Sequence, residues 1–158
     1  MDKANKVGIS FGLTSATITT LGLIIGLEAG TGSRLAVAAG ILTIAVADSM
    51  SDALGVHLAK ESEGNFSKGE VMKATIATFL YKFIFALTFL IPVTLLPAPW
   101  SLVVAISWGF LILIALNYYI AKSNNEKPFK IILEHLFISI LVIFFSWGAG
   151  HLIAKIVG

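Results

Sequence analysis

Five runs of apolar residues dominate the chain, at 7–27, 35–58, 74–96, 100–121 and 131–154. Each is long enough to cross a hydrocarbon core, for which a helix needs about 20 residues. Lipid offers the backbone nothing to hydrogen-bond with, so such runs are expected to fold as helices. The connections between them are short and leave no room for a soluble domain. The expectation is an all-α integral membrane protein, a single transmembrane helical domain over residues 1–158 with five transmembrane helices.

Charge placement agrees. Only 13% of residues are charged, about half the share usual in a soluble domain, and most of them sit at the ends of the apolar runs. The first run is too long and too glycine-rich for a removable signal peptide, and is expected to stay as a span. The absence of cysteine excludes disulfides and thiolate metal ligands. Net charge is +2, but the lysines flank the membrane instead of clustering, so lipid and not nucleic acid is the expected surrounding.

The same lysines give an orientation. With the N-terminus inside, cytoplasmic segments carry Lys3, Lys6, Lys60, Lys68, Lys73, Lys122, Lys127 and Lys130, against Arg34 and Lys155 outside. The positive-inside bias therefore predicts N-in and C-out. A multi-pass protein of the cell membrane is expected, in a prokaryotic plasma membrane more readily than in a vacuole.

Within this apolar frame the stretch AVADSMSDALGVHLAKESE, 45–63, carries the chemistry. Asp48 and Asp52 are four apart, one helical turn, and so share a face. Acids inside a span usually point at a cavity, a partner charge or an ion. Lys82 lies about as deep in the third span. Either its stem snorkels to an interface or its ammonium pairs with Asp48 or Asp52. Two carboxylates a turn apart repel when both are charged, which suits a cycle in which a cation displaces a proton.

Around this pair, Ser15, Thr19 and Ser51 are candidate neutral oxygen donors, and Glu61, Glu63 and Glu70 are candidate cation collectors at the cytoplasmic mouth. His57 reads first as a hydrogen-bonded boundary residue. Gly8, Gly12, Ser15, Thr19, Gly22 and Gly26 form a small-residue stripe on the first span, a face for close helix packing. Pro92, Pro97 and Pro99 are expected to close the third span. Glu134 and His135 start the last span, as interfacial residues or as lining of an inner vestibule.

Several segments resemble the vacuolar iron transporter family. The run FGLTSATITTLGLIIGL, 11–27, is similar to its first helix, with Thr19 and Thr20 at the family's threonine pair. ADSMSDALGVHLAKESE, 47–63, looks like its second helix, with Gly55, Leu58, Ser62 and Glu63 matching the ending. The Ile91-Pro92 step with Pro97, and GHLIAKIVG at 150–158, resemble the end of the third helix and the C-terminal close.

The resemblance implies a small prokaryotic-type member, a homodimer exporting Fe(II), Mn(II) or related ions from the cytoplasm in exchange for protons. The family's acidic residue in the first helix falls on Ser15, and its methionine in the second falls on Asp52. Lys82 has no family counterpart, and the cytoplasmic metal-binding insert is missing. Carboxylate in place of thioether moves such a site toward harder cations.

The leading expectation is thus a proton-coupled secondary transporter of a divalent cation, Fe2+ or Mn2+, acting as a homodimer with no permanently bound cofactor. The alternatives are a monovalent cation/proton exchanger with an Asp-Lys pair, and a non-transporting structural membrane subunit. No nucleophile motif can be assembled, so an enzyme is not expected.

Overall fold

The computed structural model describes residues 3–157 and consists of helices joined by short turns. These are α1 (Lys3–Thr31), α2 (Arg34–Glu63), α3 (Lys68–Thr88), α4 (Leu90–Leu95), α5 (Trp100–Ser123) and α6 (Pro128–Val157). With α3 and α4 forming one crossing, Lys68–Leu95, five helical segments are long and apolar enough to span a membrane. The chain is a multi-pass all-α membrane protein.

The helices outrun the apolar stretches at their polar ends, by nearly two turns where α3 begins. Water solvates a protruding end, so the helix need not stop where hydrophobicity does. Specific caps stop it instead. Gly32 takes φ +55 in the first hairpin and Gly64 takes φ +67 after α2, a left-handed conformation that suits glycine. Ser33 caps α2 by accepting from Ala36 N. Ser67 and Glu70 form a reciprocal capping box that starts α3.

Pro92 does not close the third span, as its sequence position suggested. The helix breaks earlier, at Phe89, and α4 continues to Leu95. Proline lacks the N–H that would bond the carbonyl four residues back, here Thr88, and its ring crowds that carbonyl. Those effects fall at the α3–α4 junction. The Arg34 guanidinium donates to the Leu96 carbonyl and fastens the far end of α4 to the first hairpin.

Helix α1 is the hub, packed against α2, α3, α5 and α6. Its small-residue stripe serves two partners instead of one. At Gly8 and Gly12 an added Cβ would meet the backbone of α3 at Ala74 O (2.5 Å) and Thr78 O (2.9 Å). At Gly22 and Gly26 the neighbours are Val142 and Ser146 of α6, and Gly30 faces Gly150. Glycine permits this backbone-on-backbone approach, on which helix association in lipid depends. The half of the bundle nearer the chain reversal between α1 and α2 is filled by Leu21, Ile24, Val37, Ile41, Phe89, Val93, Ala105 and Ile112. Below that apolar layer lies the charged one.

Candidate functional site: a buried lysine between two aspartates

Asp48 and Asp52 lie on α2 directly beside its buried stripe of Val37, Ile41, Ala45, Ser49 and Ala53, each one residue before a buried position. Opposite them, Lys82 is buried on α3, its side chain 2% exposed against 32% for Asp48 and 21% for Asp52. Its stem does not snorkel away. The ammonium lies between the two acids, 2.5 Å from Asp48 Oδ2 and in a hydrogen bond to Asp52 Oδ2. The open choice of partner resolves to both.

Ser15 on α1 completes the cluster. Lys82 Nζ donates to Ser15 Oγ at 2.8 Å, and Ser15 Oγ donates to Asp52 Oδ2 at 2.5 Å. An ammonium has three N–H donors, and three oxygens from two other helices surround it. The Asp48 oxygen is in ion-pair contact but lies off the hydrogen-bond direction, since it has no aligned donor. With all three groups ionised, two carboxylates and one ammonium leave a net charge of −1.

Other expected donors lie elsewhere. Thr19 is exposed and gives its hydroxyl proton to the Ser15 carbonyl, closing on its own helix. Ser51 precedes Asp52 by one residue, about 100° around the helix, and points to the exposed side. Of the fully buried hydroxyls, Thr17 and Thr78 donate to carbonyls of their own helices, while Thr20 and Ser49 have no hydrogen-bond partner among the described residues. A sequence in which every second position is small or hydroxylated does not reveal which one turns inward.

The three glutamates of the polar end separate as well. Glu63 pairs with Lys60 at 2.5 Å. Glu70 bonds the backbone and hydroxyl of Ser67 as half of the capping box. Glu61 lies 4.0 Å from His57 Nε2. His57 Nδ1 in turn is 3.0 Å from Thr75 Oγ1 across the α2–α3 interface, a contact that sequence spacing could not show. Among the described residues no three His, Asp or Glu side chains gather into a ready-made metal cage.

Comparison with protein-family models, curated proteins and solved structures yields no match. The fold defines a class, the multi-pass helical membrane protein, and within it the site is read from its own geometry.

Proposed function

We propose that the chain is a proton-coupled secondary transporter of a divalent cation, with Asp48, Asp52, Ser15 and Lys82 as its coupling centre. The observation that carries this reading is the convergence of three oxygens from α1 and α2 on one cationic position, filled by the ammonium of Lys82. A buried position ringed by two carboxylates and a hydroxyl suits a cation in general. The tethered ammonium is the occupant the chain supplies for itself.

A transported cation competes with that ammonium. For it to enter, Lys82 gives up a proton and withdraws as the neutral amine. When the cation leaves, a proton returns and the ammonium re-forms between the acids. Cation and proton thereby alternate at one place, the requirement for exchange. Two carboxylates neutralise one divalent ion, and oxygen ligands favour a hard ion such as Mn2+ over softer metals, Fe2+ entering the proposal through the family resemblance. Export from the cytoplasm of a prokaryotic cell by a homodimer, as the family resemblance implies, belongs to the same proposal.

A monovalent exchanger is the second reading, favoured by the net charge of −1 that the cluster keeps while Lys82 is protonated. Flux separates the two in proteoliposomes under an imposed pH gradient. The divalent reading expects Mn2+ uptake that drops at least tenfold in Asp52→Asn and loses its pH dependence in Lys82→Ala. Na+ or K+ flux with the same dependence supports the monovalent reading. Undiminished Mn2+ transport by Asp52→Asn removes the centre from the mechanism, and no flux of either ion leaves the cluster as a structural lock.

A further inference from the structure

Below the charged layer, where α2 and α3 approach their four-residue connection, His57, Glu61, Phe66, Lys68, Val71 and Met72 line a cavity of about 330 Å³. A hydrogen bond at its wall holds the His57 ring. Thr75 Oγ1 donates to the Val71 carbonyl at 2.8 Å, which uses its one hydroxyl proton. While it does so, that oxygen accepts from His57 Nδ1, 3.0 Å away. In that arrangement the neutral ring carries its proton on Nδ1 and its lone pair on Nε2. Nε2 faces the carboxylate of Glu61 at 4.0 Å.

We infer that His57 and Glu61 form a docking site for a divalent transition-metal ion, with the thioether of Met72 available from the facing helix. Three features support it. His57 and Glu61 are four apart on one helix, a spacing that brings both side chains to one ion. Ligand bonds of about 2.1 Å at tetrahedral angles put donor atoms about 3.4 Å apart, so the pair has to close by roughly 0.6 Å. The Thr75 hydroxyl holds the far ring nitrogen, as the outer partner of a metal-bound imidazole does. Imidazole, carboxylate and thioether together suit Fe2+, Co2+, Ni2+ or Zn2+ in preference to Mg2+ or Ca2+.

Nearby positive charge is partly held aside. Lys60 is paired with Glu63 and lies 4.8 Å from the centre of the Phe66 ring, and Lys3 lies 5.2 Å from it. Lys68 lines the cavity and opposes the ion, so neutralising it tightens binding. The site stands on its own contacts and does not depend on the transport reading.

The test is Co2+ titration of the purified full-length protein in nanodiscs, followed by calorimetry and by the visible absorption of bound Co2+. One Co2+ per chain that depends on His57 and Glu61 is expected. Glu61→Gln and His57→Gln weaken it at least tenfold, Thr75→Val weakens it about 10-fold or more while Thr75→Ser retains it, and Lys68→Gln tightens it severalfold. Glu61 is exposed, so its variant keeps the fold even where His57→Gln does not. The coupling centre is itself a place for a divalent cation, so the titrations are repeated in the Asp48→Asn, Asp52→Asn, Lys82→Met background, where that centre has lost its carboxylates and the His57–Glu61 ion is expected to remain. Binding that survives both Glu61→Gln and His57→Gln, or no binding at 1 mM Co2+ (roughly −4 kcal/mol), overturns the inference.

Discussion

Replacing Lys82 by methionine keeps most of the side-chain volume and removes the ammonium. In the folded protein the change strands Asp48 and Asp52 beside each other, with Ser15 as the remaining donor to Asp52. Removing one partner of a buried ion pair destabilises by about 3–5 kcal/mol. Because Asp48 and Asp52 are 32% and 21% exposed, part of that loss is recovered by solvation. The expectation is the lower end, about 3 kcal/mol, a loss of more than 100-fold in the folding equilibrium at about 1.4 kcal/mol per tenfold. The triple variant Asp48→Asn, Asp52→Asn, Lys82→Met removes every charge at once and is expected within about 1 kcal/mol of the parent, since a whole cluster is less costly to replace than to break. Equilibrium unfolding in mixed micelles, followed by helical circular dichroism against SDS fraction, measures both. A Lys82→Met protein within about 0.5 kcal/mol of the parent, or a triple variant as unstable as the single one, refutes this account of the cluster.

Two further predictions concern packing and capping. A Cβ at Gly150 would collide with Gly26 O and come within 3.0 Å of Gly30 N and Ala29 Cβ, so Gly150→Ala is expected to cost about 1–3 kcal/mol in the same unfolding assay; Gly148→Ala, which meets nothing, serves as the control, and equal stability of the two variants contradicts the close α1–α6 approach. Ser67→Ala removes one side of the capping box and is expected to cost about 1 kcal/mol, with faster amide hydrogen exchange confined to the first turn of α3; unchanged exchange there shows that the cap does not hold that turn.

The five crossings were legible because apolar length is a direct physical requirement of lipid. Which face of each helix turns inward was far less so. Lipid and protein interior are equally apolar, and the spans are hydrophobic all round, so position around the helix leaves little trace in the sequence. Asp48 and Asp52 were exceptions because charge is costly enough to force a direction. Ser15, Ser51, Thr19 and Thr20 lack that force, and two of the three proposed hydroxyl donors turned elsewhere. The Ser67–Glu70 spacing carries the capping signal openly, while the His57–Thr75 contact depends on the relative height of two helices. Pro92 was visible as a breaker, but its effect acts on the turn before it, where Phe89 interrupts the helix.

The ion cluster also bears on how the chain is made. As α2 leaves the ribosome it brings two carboxylates toward the lipid, and the ammonium that answers them is thirty residues away from Asp52, in the following helix. At the middle of an isolated span, each such charge opposes insertion by about 2.5–3.5 kcal/mol. The connection from Glu63 to Lys68 is short enough for α2 and α3 to fold back on each other at once. The two segments therefore gain most by partitioning as a pair, charge against charge, so that the second span settles only after the third has been synthesised.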